Sequence, residues 1–235
     1  MPLEAGWRGL RRHQLLGLTA AGWDQALAQV GEGEARDCVQ HWAAQALPLV
    51  VARQDPAEPR DRLRLGLPAP ACWGRQRLRL QIALDQVLYV DDLPAVSDIT
   101  PLLAPPLQAP WRALCDGLTH LGLQPRVFGS HGWQQLTGLV YLRPSSDLDL
   151  LLPVEGLPQA DAAAAWLAGA AFAGPRLDGE LVFADGSAVA WREWLDWRAQ
   201  RCEQILVKRL AAVELAAGTG WLDRATGVGQ AACTP

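Results

Sequence analysis

Three short stretches carry residue types that could do chemistry together. The first is Gly129-Ser130, which follows the apolar run Arg126-Val127-Phe128 and precedes a helical pattern. Glycine there allows a tight turn and a close backbone approach. Free N–H groups at the start of the next helix attract anions, and the serine hydroxyl adds a donor. This is where a polyphosphate would sit. The second is Asp147-Leu-Asp149, followed by three leucines. On a strand, positions two apart share a face, so both carboxylates can reach one divalent cation or a close pair of them. Leu148, Leu150 and Leu152 then face the core. Two acids side by side repel, and a cation removes that cost. Hard oxygen donors spaced this way suit magnesium, or manganese in its place, held jointly with substrate phosphates. The third is Asp178-Gly-Glu180, a second acidic pair on a predicted strand. One of the two could complete a carboxylate triad, and the sequence does not choose between them. The combined plan is metal-assisted phosphoryl or nucleotidyl transfer to a hydroxyl.

Two basic residues could add to such a site. Arg192 lies among tryptophans, and its guanidinium suits phosphate. Lys208 is the sole lysine of the chain and suits a point-charge phosphate contact. The other readings are blander. Solvated or packed side chains account for His13 and His131, and the 11 tryptophans read mostly as core. Stacking of Trp133 on adenine is the functional alternative for that ring.

Elements must position these groups. Helical patterns cover Asp24–Val30, Glu34–Ala46, Trp111–Gly122, His131–Leu139 and Ala160–Ala171. Strand patterns cover Leu47–Arg53, Arg77–Leu84, Arg126–Phe128, Asp147–Leu152, Arg176–Phe183, Ser187–Arg192 and Gln204–Lys208, with Asp185-Gly186 as a hairpin turn. The proline-rich stretch Leu103–Pro110 reads as a linker, because paired prolines interrupt helices and deny ladder donors. It places a boundary near residue 106. The expectation is an α+β protein of two domains: residues 1–105 binding substrate or partner, and residues 106–235 forming a mixed sheet flanked by helices.

At 235 residues, half of them apolar, the chain can bury a substantial core. A net charge of −4 argues against a nucleic-acid wrapper, since counterion release needs a basic surface. The odd set of five cysteines at long spacings argues against zinc and a disulfide framework, and for a reducing cytoplasm. No signal-like leader is visible, and no apolar run reaches membrane-spanning length, so no membrane association is expected.

The longer string from Val127 to Leu152 resembles the phosphoribosyl-dephospho-CoA transferases of bacterial malonate decarboxylase, the holo-acyl-carrier-protein synthases of that system. So do residues 176–183, 188–194 and 205–208, and more loosely 11–16 and 48–53. The Gly-Ser turn followed by Asp-x-Asp is similar to the wider polymerase-beta-type nucleotidyltransferase superfamily. The gap from Ser130 to Asp147 is longer than usual there, with room for a turn at Leu142-Arg-Pro-Ser. The resemblance implies a nucleotidyltransferase-like fold for the C-terminal domain. It also implies one reaction. A serine of an apo acyl carrier protein attacks the innermost phosphorus of triphosphoribosyl-dephospho-CoA. Pyrophosphate leaves, and the prosthetic group stays on the carrier. On the family pattern Asp147 and Asp149 hold metal, and Gly129 and Ser130 hold phosphate. The alternatives are a nucleotidyltransferase with another hydroxyl acceptor and a non-catalytic nucleotide-binding module. The site is expected in a cleft between the domains, with Arg198, Arg201 and Arg209 as candidates for docking an acidic carrier.

Overall fold

The computed structural model describes residue 7, residues 9–218 and residues 220–222. The chain forms two compact units. The first comprises the segment through Pro94, Phe128–Ser146 and Leu210–Ala212. The second comprises Ala95–Val127, Asp147–Arg209 and the remainder from Val213.

In the first unit, strands β1 (Leu15–Leu18), β2 (Leu49–Val51), β3 (Arg62–Pro68), β4 (Arg77–Ala83) and β5 (Val87–Asp91) make one sheet in the order β4-β3-β2-β1-β5. Its described pairings are antiparallel. Helices α1 (Ala20–Leu27) and α2 (Glu34–Ala44) accompany it. Thr19 caps α1 by accepting from the Gly22 N–H at 3.1 Å. β3 and β4 alternate strictly, and the register pairs Leu63 with Ile82 and Leu65 with Leu80, all buried. Arg62, Arg64, Arg79 and Gln81 therefore fall on the opposite face. The edge strand β4 is sealed by side chains. Gln29 both donates to and accepts from the Gln81 backbone at 2.7 Å, and Gln25 accepts from the Ala83 N–H.

The second unit is built on a six-stranded sheet. Its strands are β6 (Arg126–Phe128), β7 (Leu148–Pro153), β8 (Leu177–Val182), β9 (Ala188–Ala190), β10 (Gln204–Lys208) and β11 (Val213–Ala217), in the order β11-β10-β9-β8-β7-β6. β7 and β8 run parallel, whereas β8–β9, β9–β10 and β10–β11 are antiparallel. The sheet is mixed, as expected. Helices α3 (Pro105–His120), α5 (Leu157–Gly169) and α6 (Trp191–Arg198) flank it, while α4 (Gly129–Thr137) belongs to the first unit. One sheet face is wholly apolar: Leu148, Leu150, Leu152, Leu181, Val189, Ile205 and Val207 are buried together with Trp111, Leu118 and Trp194.

Several elements differ from the sequence reading. Pro105 and Pro106 open α3 rather than interrupting it, because the first helical turn needs no intrahelical N–H donor, and Pro110 lies inside the helix. The expected strand 187–192 stops at Ala190. Trp191 and Trp194, three apart, then bury one face of α6, so Arg192 lies on a helix. Strands β1, β3, β5 and β11 were not anticipated. The Asp185-Gly186 turn is present: Asp185 accepts from the Ser187 N–H and hydroxyl, and Gly186 takes φ +80°. Two cysteines are buried, and burial pushes the Cys38 and Cys115 thiols up to about 12. Cys233 lies outside the described residues. No described helix is long and apolar enough to cross a membrane.

Candidate active site

The face of the second sheet opposite the leucines carries the acids. Asp147 directly precedes β7, and Asp149 is its second residue. The parallel register sets Asp149 opposite Asp178 and Leu151 opposite Glu180. Paired residues of neighbouring strands share a face, so Asp149, Asp178 and Glu180 line one side. Gly179, between the two acids of β8, takes φ +146°, and a Cβ there would collide with the Leu150 carbonyl oxygen. Only glycine lets β8 lie this close to β7 at that point. Its N–H donates to Asp178 Oδ1 at 2.9 Å, which fixes the first acid of the pair.

The electrostatics agree with this placement. Asp149 is pushed up from 3.8 to about 6, first by burial and then by the negative charges of Asp178, Asp147 and Glu180. Arg176 approaches Asp147 at 4.0 Å, a long ion-pair contact. Glu180 differs from the others. Its side chain is 7% exposed and receives a hydrogen bond from Lys208 Nζ at 2.7 Å. Lys208 comes from β10 and stands opposite Ala188 of β9, whose other neighbour is Val182 of β8. Two predicted site residues thus meet as an ion pair beside the aspartates.

The donor set suits a shared cation rather than a closed cage. Among the described residues no three His, Cys, Asp or Glu side chains form a closed metal-holding group. Magnesium commonly takes one or two carboxylates and fills its other positions with water and substrate phosphate. Crowded, half-buried carboxylates with hard oxygens fit that need, and part of the upward push on Asp149 comes from neighbouring negative charges that a cation would compensate.

Arg192 reaches back from α6. Its guanidinium donates to the Leu177 carbonyl at 3.0 Å and lies 4.2 Å from the Trp191 ring centroid. Gly129 opens α4 with φ +63°, immediately after β6, and Ser130 is half-buried in its first turn. Gln134, one turn further on, accepts from the N–H groups of Tyr141 and Leu142 and so organises the segment between α4 and β7. The turn expected near Leu142 closes between Arg143 and Ser146. Trp133 is buried and stacked on Tyr141 at 6.4 Å, so its ring is already occupied. His131 is buried, and the His13 ring packs on Phe128. The three candidate docking arginines are all ion-paired: Arg198 with Asp161, Arg201 with Asp196, and Arg209 with Asp185 and Glu214. The Glu180–Lys208 pairing escaped sequence reasoning, because nothing local links residues 28 positions apart.

Comparison with known proteins places the chain. Residues 11–91 match the model of the phosphoribosyl-dephospho-CoA transferase MdcG N-terminal domain, and residues 93–218 match that of its C-terminal domain. The chain belongs to the MdcG family. Its resemblance to these transferases, first visible in the motifs, is thereby established over most of its length. The phosphoribosyl-dephospho-CoA transferase of Xanthomonas campestris pv. campestris strain 8004 is 38% identical over 199 residues, covering 84% of this chain and 90% of that protein. The enzyme of the same name from Bradyrhizobium diazoefficiens is 33% identical over 228 residues, covering 96% and 98%. That from Xanthomonas axonopodis pv. citri is 39% identical over 205 residues, covering 84% and 89%. No solved structure matches the chain.

Proposed function

We propose that this protein transfers the phosphoribosyl-dephospho-CoA group from triphosphoribosyl-dephospho-CoA to a serine of the apo acyl carrier protein of malonate decarboxylase, as a nucleotidyltransferase of the cytoplasm. One observation carries the reading: four carboxylates crowd the polar face of β7 and β8, and three of them, together with burial, raise Asp149 to about 6. A fold does not keep that arrangement for stability, and strongly perturbed acids cluster where charge is handled.

In this reading the serine oxygen bonds to the innermost phosphorus, and the bond from that phosphorus to the pyrophosphate oxygen breaks. The serine proton passes to solvent or to a carboxylate of the row. Asp147 and Asp149 hold the divalent cation, magnesium or manganese, with Asp178 as the third acid. When bound, that cation lowers the pKa of the attacking hydroxyl and neutralises the leaving polyphosphate. Asp178 is preferred to Glu180 as the third acid because Glu180 is already committed to Lys208 at 2.7 Å. Glu180 instead fixes Lys208, which offers its remaining N–H donors to phosphate oxygens. The Gly129 amide and the Ser130 hydroxyl donate to the triphosphate, and Arg192 supplies a further cation near the start of β8.

The test mixes purified protein, magnesium, triphosphoribosyl-dephospho-CoA and apo carrier protein, and measures the mass of the carrier. The expected product is the carrier plus one prosthetic group with wild type and the unchanged carrier with Asp147→Ala. Modification that needs ordinary nucleoside triphosphates and no carrier would instead establish a different acceptor. Equal transfer by wild type and Asp147→Ala would overturn the mechanism.

A further inference from the structure

We infer that the first unit carries a second, preformed anion site, on the outer face of the β3–β4 hairpin, which takes a phosphate-bearing organic ligand. The observations are independent of the carboxylate row. A cavity of about 510 Å³ is lined by Arg53, Arg64, Arg79, Glu58, Gln29 and Gln81, with Ala52 and the strand segments at Leu65 and Leu80, whose side chains are buried on the other face. That volume lies within the range of small-molecule sites rather than of flat protein-docking patches.

The charges are unequal in a telling way. Arg64 is neutralised: it forms a two-pronged pair with Glu58 and also contacts Asp55 at 3.2 Å. Those contacts lock the guanidinium as part of the wall. Arg53 and Arg79 are exposed and have no ion pair among the described residues. With Glu58 as the one lining acid, the cavity carries an excess of two positive charges. The chain as a whole has a net charge of −4. Seven arginines and only three acids lie between residues 53 and 79, so the local sign is opposite to the global one.

Scaffold and chemistry both favour a ligand. Arg64 and Arg79 are presented by paired strands, and Arg79 stands opposite Gly66. Gln54, 3% exposed, ties the loop after β2 to both backbone groups of Arg64 at 2.9 Å, which fixes the approach of Arg53. Two free guanidiniums beside a polar, strand-borne wall match a phosphate monoester or pyrophosphate diester. The two-charge excess matches a dianion. Resting on the function proposed above, the ligand is the dephospho-CoA part of the substrate, which carries a pyrophosphate link.

Titration calorimetry on the full chain, with EDTA to remove divalent cations, tests this. The probe is dephospho-CoA, with inorganic pyrophosphate as a second titrant. Arg53→Ala/Arg79→Ala is expected to weaken dephospho-CoA binding at least tenfold. Arg60→Ala/Arg77→Ala removes the same charge from exposed arginines outside the cavity and is expected to leave binding within twofold. Unchanged binding by the Arg53/Arg79 variant overturns the site. So does equal weakening by the Arg60/Arg77 variant, which would reveal only diffuse attraction. Loss of pyrophosphate binding alone overturns the assignment to dephospho-CoA, and so does loss of carrier-protein affinity with dephospho-CoA binding intact. Failure of wild type to modify the carrier, with the tenfold effect present, removes the transferase reading and leaves the site standing.

Discussion

Asp149 makes the sharpest case at the scale of single residues. Its carboxyl is raised to about 6, so between its ordinary value of 3.8 and that point the folded protein binds more protons than the unfolded chain. Stability contributed by this group is therefore present at low pH and is lost as pH rises through about 6. Asp149→Asn removes the ionisation. In metal-free buffer at about pH 8 it should stabilise the protein by about 1 kcal/mol, with the gain vanishing below about pH 4, as read from urea unfolding. The same substitution should lower transfer to the carrier by on the order of 10³-fold. Added magnesium should raise the melting temperature of wild type and not of the variant. A variant no more stable than wild type in the alkaline buffer would contradict the crowding of the four acids.

Lys208 and Glu180 behave in the opposite sense. Lys208→Met strands a carboxylate whose side chain is 7% exposed, and should cost about 3 kcal/mol of stability. Glu180→Gln together with Lys208→Met should recover much of that loss, because no unpaired charge is left. Denaturant midpoints of the single and double variants provide the check. In the sequence, the aspartate pair was legible because acids two apart, alternating with leucines, fall on one strand face with the apolar residues on the other. The ion pair was not legible, because the partners come from strands separated by a third.

Among the elements, β8 sets the geometry of the row. Its Gly179 has positive φ and no room for a methyl group against Leu150. Gly179→Ala should destabilise the protein by at least about 2 kcal/mol and reduce transfer through displaced acids rather than lost ones. Thermal unfolding and carrier mass together read both effects. Strands β7, β8 and β10 and most helices were legible from period and punctuation. α6 was not, because an eight-residue helix whose buried tryptophans are three apart follows a three-residue strand, and the alternation ran on into it. α3 was displaced because prolines interrupt a helix in its middle yet are tolerated in its first turn. β3 shares the Arg-Leu alternation of β4 and could have been found by the same count.

The whole molecule adds a dependence that no single motif reveals. Tyr141, in the segment after α4, donates its hydroxyl to the Pro68 carbonyl at 2.7 Å. Its own carbonyl accepts from Arg75 at 2.6 Å, and the neighbouring Val140 carbonyl accepts from the Ala71 N–H. A fragment ending at residue 91 lacks all three bonds and the buried ring. It should be less stable than the first unit within the full chain by about 4 kcal/mol. Hydrogen exchange of β3 and β4 amides in fragment and full chain measures this, and equal protection would refute it.

The path of the backbone has a consequence for how such a protein can arise and be rebuilt. The chain passes from one unit to the other five times. A ribosome releasing it in order cannot complete the first unit until Ala212 has emerged. A gene fusion at a single joint would divide one unit or the other, so the N-terminal half is not a transferable cassette. Engineers wishing to retarget this chain must graft loops, because whole-module exchange is closed to them.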